Sequence, residues 1–258
     1  MKKTIRLKSI LIVFTLLIIA NYSCAQNNNK NHFKVQKSKS IVVLELFTSQ
    51  SCSSCPPADA VLSDYVIEQN ANVIALAFHV DYWNRLGWKD PFSKTEFSER
   101  QREYAQIFNS RNVYTPQIVI NGKYELVGSK KNEIAEIVAK EIKLTKKEQI
   151  FFESITLINN LLSMKVNSLN PDNNNIINIA LVKKKELTNI KRGENSGLQQ
   201  INHNIVFDFK SISEFNNDSK VQTFYFNNNW NSADFVIVAF IQNKKTGSIT
   251  DAIQSEIN

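Results

Sequence analysis

Cysteine, glycine, proline and methionine are all scarce in this 258-residue sequence, which holds 3, 6, 5 and 2 of them respectively. Three cysteines are too few for a disulfide-stapled mini-scaffold, and a chain this long does not need one. Six glycines exclude a collagen-like repeat. What is present, 43% hydrophobic and 10% aromatic residues, lies in the globular range and excludes a disordered chain or a multi-pass membrane protein. The length suits one large or two small domains.

Acidic residues are missing from the first 25 positions, where Lys2, Lys3, Arg6 and Lys8 precede a largely apolar run from Ile10 to Ala20 and then Ser23-Cys24-Ala25. This order of basic start, short apolar middle and small residues predicts a secretory signal over 1–25. The run is shorter than the ~20 residues that span a bilayer. The chain's net +7 falls to +3 once those four basic residues leave, an ordinary surface charge that offers nucleic acid nothing. Cleavage after Ala25 would discard Cys24, and a membrane tether follows only if Cys24 is instead lipidated. Either route exports the protein to the bacterial cell envelope, periplasmic or secreted, where disulfides are tolerated.

Residues 26–38 are Asn- and Lys-rich without periodicity and read as a flexible leader. Ile41 to Phe47 is a β-rich apolar run of strand length. Pro56-Pro57 opens a helix to about Glu68, because a first-turn proline lacks only an N–H that would go unpaired anyway. Val73–Val80 reads as a strand buried on both faces. Ser93–Phe108 reads as a helix with Ser93 and Glu96 in capping-box spacing. Asn121-Gly122 between Gln117–Ile120 and Tyr124–Val127 signals a hairpin. Asn132–Leu144 completes the order strand, helix, strand, helix, hairpin, helix, which matches a thioredoxin-like α/β domain over 39–145. Beyond it, apolar runs at 151–158, 161–166, 176–182, 205–209, 221–226 and 235–241, parted by Asn, Ser, Asp and Gly, predict a mainly antiparallel, sandwich-like β domain over 146–258. The boundary is placed near Thr145.

The sharpest feature is Cys52-Ser53-Ser54-Cys55 between the first strand and the helix at Pro56. A two-residue spacer lets the sulfurs form a reversible disulfide, and a helix start lowers a thiol pKa from ~8.5 toward ~3.5–7.5. Cys52 is then the nucleophile and Cys55 the resolving thiol. Such a pair is its own redox group and asks for no separate cofactor. Half a zinc site has the same spacing, but beyond Cys24 no further cysteine exists to supply the other half. An inert structural disulfide remains the plain alternative.

Four other places carry chemistry. Tyr114-Thr115-Pro116 precedes the third strand, where the thioredoxin arrangement sets a cis-proline facing the cysteines, so Pro116 is expected to be cis and Thr115 to present its backbone to a substrate. Glu45, in an otherwise apolar strand, is a candidate buried proton acceptor for Cys55. His79, Asp81 and Trp83 stand at the carboxyl end of the second strand, where α/β proteins place their sites. His79 and Asp81 share a face if the strand continues, an arrangement fit to orient a substrate or hold a metal; a hydrogen-bonded structural corner, with Trp83 and Trp88 as packing, is the plainer reading. His203 reads as a capping or interdomain hydrogen-bonding residue rather than a ligand.

The segments 44–50, 52–59, 78–83 (Phe78-His79-Val80-Asp81-Tyr82-Trp83), 86–92, 114–117 and 192–197 together resemble the secreted bacterial "domain of unknown function 1223" family, a thioredoxin-like group. The resemblance spans nearly the whole mature chain. It implies a thioredoxin-like domain with a β-rich partner, and its two thiols carry over to Cys52 and Cys55. One departure is Asn84 after Trp83, where the family pattern leads us to expect an acid. The leading expectation is an exported thiol–disulfide oxidoreductase acting on a protein or small-molecule thiol or disulfide, with a separate redox partner. Two alternatives stay open: a Cu(I) module built from Cys52, Cys55 and His79, and a binding protein whose disulfide is a strut.

Overall fold

The computed structural model describes residues 41–144, 150–169, 172–213, 221–227 and 229–257. The signal segment, Cys24, the leader and Thr145 lie outside the described residues. Strand β1 (Val42–Thr48) is buried along its whole length. It pairs in parallel with β2 (Val73–His79) and antiparallel with β3 (Gln117–Ile120). Between β1 and β2 runs α1 (Pro56–Ile67), and between β2 and β3 runs α2 (Thr95–Ile107). The Asn121-Gly122 turn returns the chain as β4 (Tyr124–Val127), followed by α3 (Lys131–Ile142).

Side-chain alternation along β1 and β2 sorts the interior into two faces. Leu44 and Leu46 of β1 with Ala75 and Ala77 of β2 pack against Ala58, Val61 and Leu62 of α1 and against Ile134 and Val138 of α3. Val43 and Phe47 with Leu76 and Phe78 face the other way, onto Phe97 and Tyr104 of α2. The expected capping box on α2 does not form. Lys94 is the N-cap, and the Ser93 hydroxyl donates to the Asp90 carbonyl instead.

The second half of the chain contributes β5 (Ile150–Ile158), β6 (Leu161–Ser168), β7 (Asn175–Asn189), β8 (Gln199–Ile212), β9 (Val221–Tyr225), β10 (Phe235–Asn243) and β11 (Ile249–Glu256). These strands are antiparallel to one another, as the spacing predicts, but they do not stand apart as a second body. The described residues belong to a single compact unit. Strand β8 pairs in parallel with β2 at Ala77 and Ile205, giving one eight-stranded sheet in the order β11-β10-β7-β8-β2-β1-β3-β4. Without β8, β2 would be an apolar edge with unpaired backbone groups, a state folded proteins avoid. The three-stranded sheet β5-β6-β9 covers Ile177, Ile179, Ile237 and Ala239 of the large sheet, which accounts for the sandwich-like pattern. The architecture is a mixed α/β fold dominated by β-sheet. Among the described residues no helix is long and apolar enough to cross a membrane.

Two further contacts lock the halves together. Gly122, at φ +62°, comes so near Gly247 that an added Cβ would sit 1.9 Å from its carbonyl oxygen. Arg100 of α2 donates from Nε to Glu45 at 2.6 Å and from a terminal nitrogen to Gln242 of β10 at 3.2 Å.

Candidate functional site

Cys52 and Cys55 form a disulfide with their Cα atoms 5.4 Å apart, in the turn between β1 and α1. Cys55 is the N-cap of α1, and its carbonyl accepts from Ala58 at 2.9 Å and Asp59 at 3.1 Å. Pro56 and Pro57 occupy the first helical positions, so neither contributes an N–H toward the sulfurs. The donors at Cys52 Sγ are hydroxyls: Thr115 Oγ1 and Ser54 Oγ, each at 3.2 Å. Both cysteines are buried, at 1% and 0% exposure, while Ser53 and Ser54 between them are exposed.

Thr115 is the centre of a chain of contacts. The Thr115–Pro116 peptide is cis. The Trp83 indole N–H donates to Thr115 Oγ1 at 2.7 Å, and that hydroxyl in turn donates to Cys52. The structure therefore brings Trp83, Thr115, Pro116 and the two cysteines to one place. Asn84, in the position expected to be acidic, accepts from the Asp90 backbone at 3.1 Å and donates to Ser93 at 2.9 Å, fixing the loop that carries Trp83.

Asp81 does not join them. Strand β2 ends at His79, so the shared face fails to continue, and Asp81 accepts from Thr95 and Ser98 at the start of α2. Its carboxyl lies below the ordinary 3.8, because those hydroxyls outweigh the desolvation that would raise it. His79 is buried beneath α1, with Nδ1 2.7 Å from Asp90 Oδ2. Burial alone would depress its imidazolium; Asp90, and then Asp59, outweigh this and hold it above 6.5. Among the described residues no three His, Cys, Asp or Glu side chains come together to hold a metal, so a Cu(I) site of Cys52, Cys55 and His79 is not assembled.

Glu45 faces α2, away from the helix that carries Cys55. Its carboxylate accepts from Arg100 Nε at 2.6 Å and from the Tyr104 hydroxyl. His203 of β8 lies 2.9 Å from the Ser63 hydroxyl of α1 and so links the two halves.

Sequence reasoning passed over three residues. Asn195, in the loop between β7 and β8, donates to the carbonyls of both Gln50 and Cys52 at 2.9 Å. Glu194 beside it accepts from the Ser53 N–H at 2.9 Å, which holds its carboxyl low. Asp59, one turn into α1, is buried at 5% exposure, and burial pushes its carboxyl up to about 7. The 192–197 segment stood out in the resemblance but carried no chemical signal of its own. Asp59 stands beside Ala58, three before Leu62, on the buried stripe of its helix. Replacing Asn195 with Ala is expected to cost about 1–3 kcal/mol, since two carbonyls lose one buried donor. Thermal or urea unfolding checks this, and a loss within error of zero would show that water replaces the donor.

Fold and site together define a mixed α/β protein with a buried C-x-x-C disulfide at a helix start, clamped by a loop from the far half of the chain. The family model described as "Protein of unknown function (DUF1223)" matches residues 43–242, and the chain belongs to that family. A crystal structure of a protein from Agrobacterium tumefaciens is similar at a TM-score of 0.65 and 23% identity, covering 86% of this chain and 96% of that one. HBP35 of Porphyromonas gingivalis is similar at a TM-score of 0.53 and 15% identity, covering 86% of this chain and 77% of that one. At these identities the likeness concerns the fold. No curated protein matches the chain.

Proposed function

We propose that the protein is an exported thiol–disulfide oxidoreductase whose α/β half is a thioredoxin-like unit. The observation that carries this reading is the Cys52–Cys55 disulfide at the start of α1 with the cis Thr115–Pro116 peptide beside it and the Thr115 hydroxyl on Cys52 Sγ. The element order β1-α1-β2-α2-β3-β4-α3 supports it. Export rests on the composition of residues 1–25.

In the oxidising direction a substrate thiolate attacks Cys52 Sγ, forming a mixed disulfide and releasing Cys55 as a thiolate, which takes a proton. A second substrate thiolate then displaces Cys52, leaving an oxidised substrate and a reduced dithiol. In the reducing direction the Cys52 thiolate attacks a substrate disulfide, one substrate thiol leaves, and Cys55 displaces the other. Two electrons move in either case. A thiolate at Cys52 would be stabilised by the Thr115 and Ser54 hydroxyls rather than by helix N–H groups. The fixed carboxylate of Glu194 at Ser53 opposes it.

The burial of both sulfurs favours a second reading, a structural strut. A redox titration combined with trapping in Cys55→Ala separates the two. We expect a potential between about −120 and about −270 mV and a stable mixed disulfide on Cys52. A potential below about −300 mV with nothing trapped would establish the strut.

A further inference from the structure

A row of buried polar side chains lies directly beneath the start of α1. Thr48 of β1 and His79 of β2 are paired in register and share the face that α1 covers. Gln200 and Asn202, two residues apart on β8, extend the row. Gln200 Nε2 donates to Asp59 Oδ2 at 2.7 Å, and Asn202 Oδ1 accepts from Gln50 at 3.0 Å. Asp59 hangs into this row from above. It is four residues after Cys55 on the same helix, a spacing that stacks two side chains one turn apart.

Five atoms in the row have no hydrogen-bond partner: Thr48 Oγ1, Asp59 Oδ1, His79 Nε2, Gln200 Oε1 and Asn202 Nδ2; of these only Asp59 and His79 belong to groups that carry a titratable proton. The other imidazole nitrogen is held by Asp90, whose carboxylate is itself anchored by the Gln50 and Phe92 backbone N–H groups at 2.8 and 3.0 Å. The ring is therefore fixed, with Nε2 left over. Buried polar atoms are normally satisfied, and an exception calls for a reason. The titratable groups facing Asp59 are His79 from β2 and Asp90 from the loop after it. The side chains facing it from β1 and β8, Thr48 and Gln200, are neutral. Among the described residues no lysine or arginine bonds that carboxylate.

We propose that Asp59, backed by His79, is the buried proton carrier for Cys55. The proposal rests on the oxidoreductase reading. When the Cys52 mixed disulfide is resolved, the Asp59 carboxylate takes the proton from the Cys55 thiol. The Cys55 thiolate then displaces the substrate sulfur from Cys52, and the substrate leaves as a thiolate. In reverse, Cys55 leaves Cys52 as a thiolate and recovers the proton from the Asp59 carboxylic acid. One proton moves between Asp59 and Cys55, and the two electrons stay with the sulfur exchange. A carboxyl raised to about 7 is matched to this task at neutral pH. Glu45, fixed by Arg100 on the opposite face of the sheet, cannot reach it.

The test uses the reduced full chain with oxidised glutathione between pH 5 and 9, following formation of the Cys52–glutathione mixed disulfide and its resolution separately. In Asp59→Asn we expect formation to keep its rate. Resolution at pH 7 should slow at least tenfold and recover as the pH approaches that of a free thiol, ~8.5. In His79→Gln the midpoint of the resolution profile should move while the mixed disulfide still forms. Equal resolution rates in Asp59→Asn and wild type from pH 6 to 8 would overturn the role of Asp59. A wild type and Cys55→Ala that never form the mixed disulfide would instead overturn the oxidoreductase reading. Should Asp59→Asn not fold, infrared difference spectra of the wild type decide the matter. A protonated carboxyl band near neutral pH that shifts on reducing Cys52–Cys55 supports the proposal, and an unmoved carboxyl spectrum overturns it.

Discussion

Replacing Arg100 with Met is expected to destabilise the fold by about 3–5 kcal/mol, because it strands a buried carboxylate. Arg100 and Glu45 are both almost wholly excluded from solvent, and Arg100 Nε lies 2.6 Å from Glu45 Oε2. The guanidinium also rests against Phe209, 4.7 Å from the ring centroid, and between Phe78 and Phe240. Burial would depress it, but the Glu45 charge outweighs this and holds it above its ordinary value. Met fills similar volume yet leaves Glu45 with the Tyr104 hydroxyl alone. Urea unfolding measures the loss. The double variant Glu45→Met/Arg100→Met should regain most of it, since no charge is then left buried. A double variant no more stable than Arg100→Met would show that packing around the guanidinium matters, and the ion pair does not.

The stability of the wild type should fall as the pH rises from about 4 to about 7, and Asp59→Asn should remove most of that slope. The Asp59 carboxyl stands at about 7 in the fold against 3.8 ordinarily. Between those values the native protein keeps a proton that the unfolded chain has released, so raising the pH favours unfolding. At about 1.4 kcal/mol per pH unit, the full span is worth about 4 kcal/mol. His79 acts in the same direction: its raised value stabilises the fold below 6.5, and this is lost as the pH rises through its folded value. Asp90, held below 3.8, loses its contribution only under more acid conditions. The stability curve should therefore peak near pH 4–5. At pH 8 Asp59→Asn should be the more stable protein, with the two nearly equal at pH 4. Urea titrations at pH 4, 6 and 8 check this, and a parallel slope in the variant would mean the proton sits elsewhere.

Most elements were legible because their signals are local. The strand before Cys52, the helix opened by Pro56-Pro57 and the Asn121-Gly122 hairpin each follow from spacing or backbone preference within a few residues. Strand β11 escaped notice because Ile249-Thr250-Asp251-Ala252 breaks its alternation: the neighbours Asp251 and Ala252 are both buried, and Asp251 accepts from the Ile150 N–H at 3.0 Å, on the face opposite Ala252. The capping box failed because Ser93 had a nearer carbonyl to bond, that of Asp90.

The residues of the dithiol turn and its Thr-Pro partner could be named from the chain alone, since C-x-x-C and the residues around it form contiguous motifs. Which acid lies beneath Cys55 could not. Glu45 and Asp59 both stand close to the cysteines in sequence. Their roles part because alternation along β1 turns Glu45 toward α2, whereas helical periodicity turns Asp59 inward toward β2. The union of the two halves into one sheet was equally out of reach. It depends on β8 finding the open edge of β2 across more than a hundred residues. Nothing in the local pattern of either strand specifies that partner; burying an otherwise unpaired edge does.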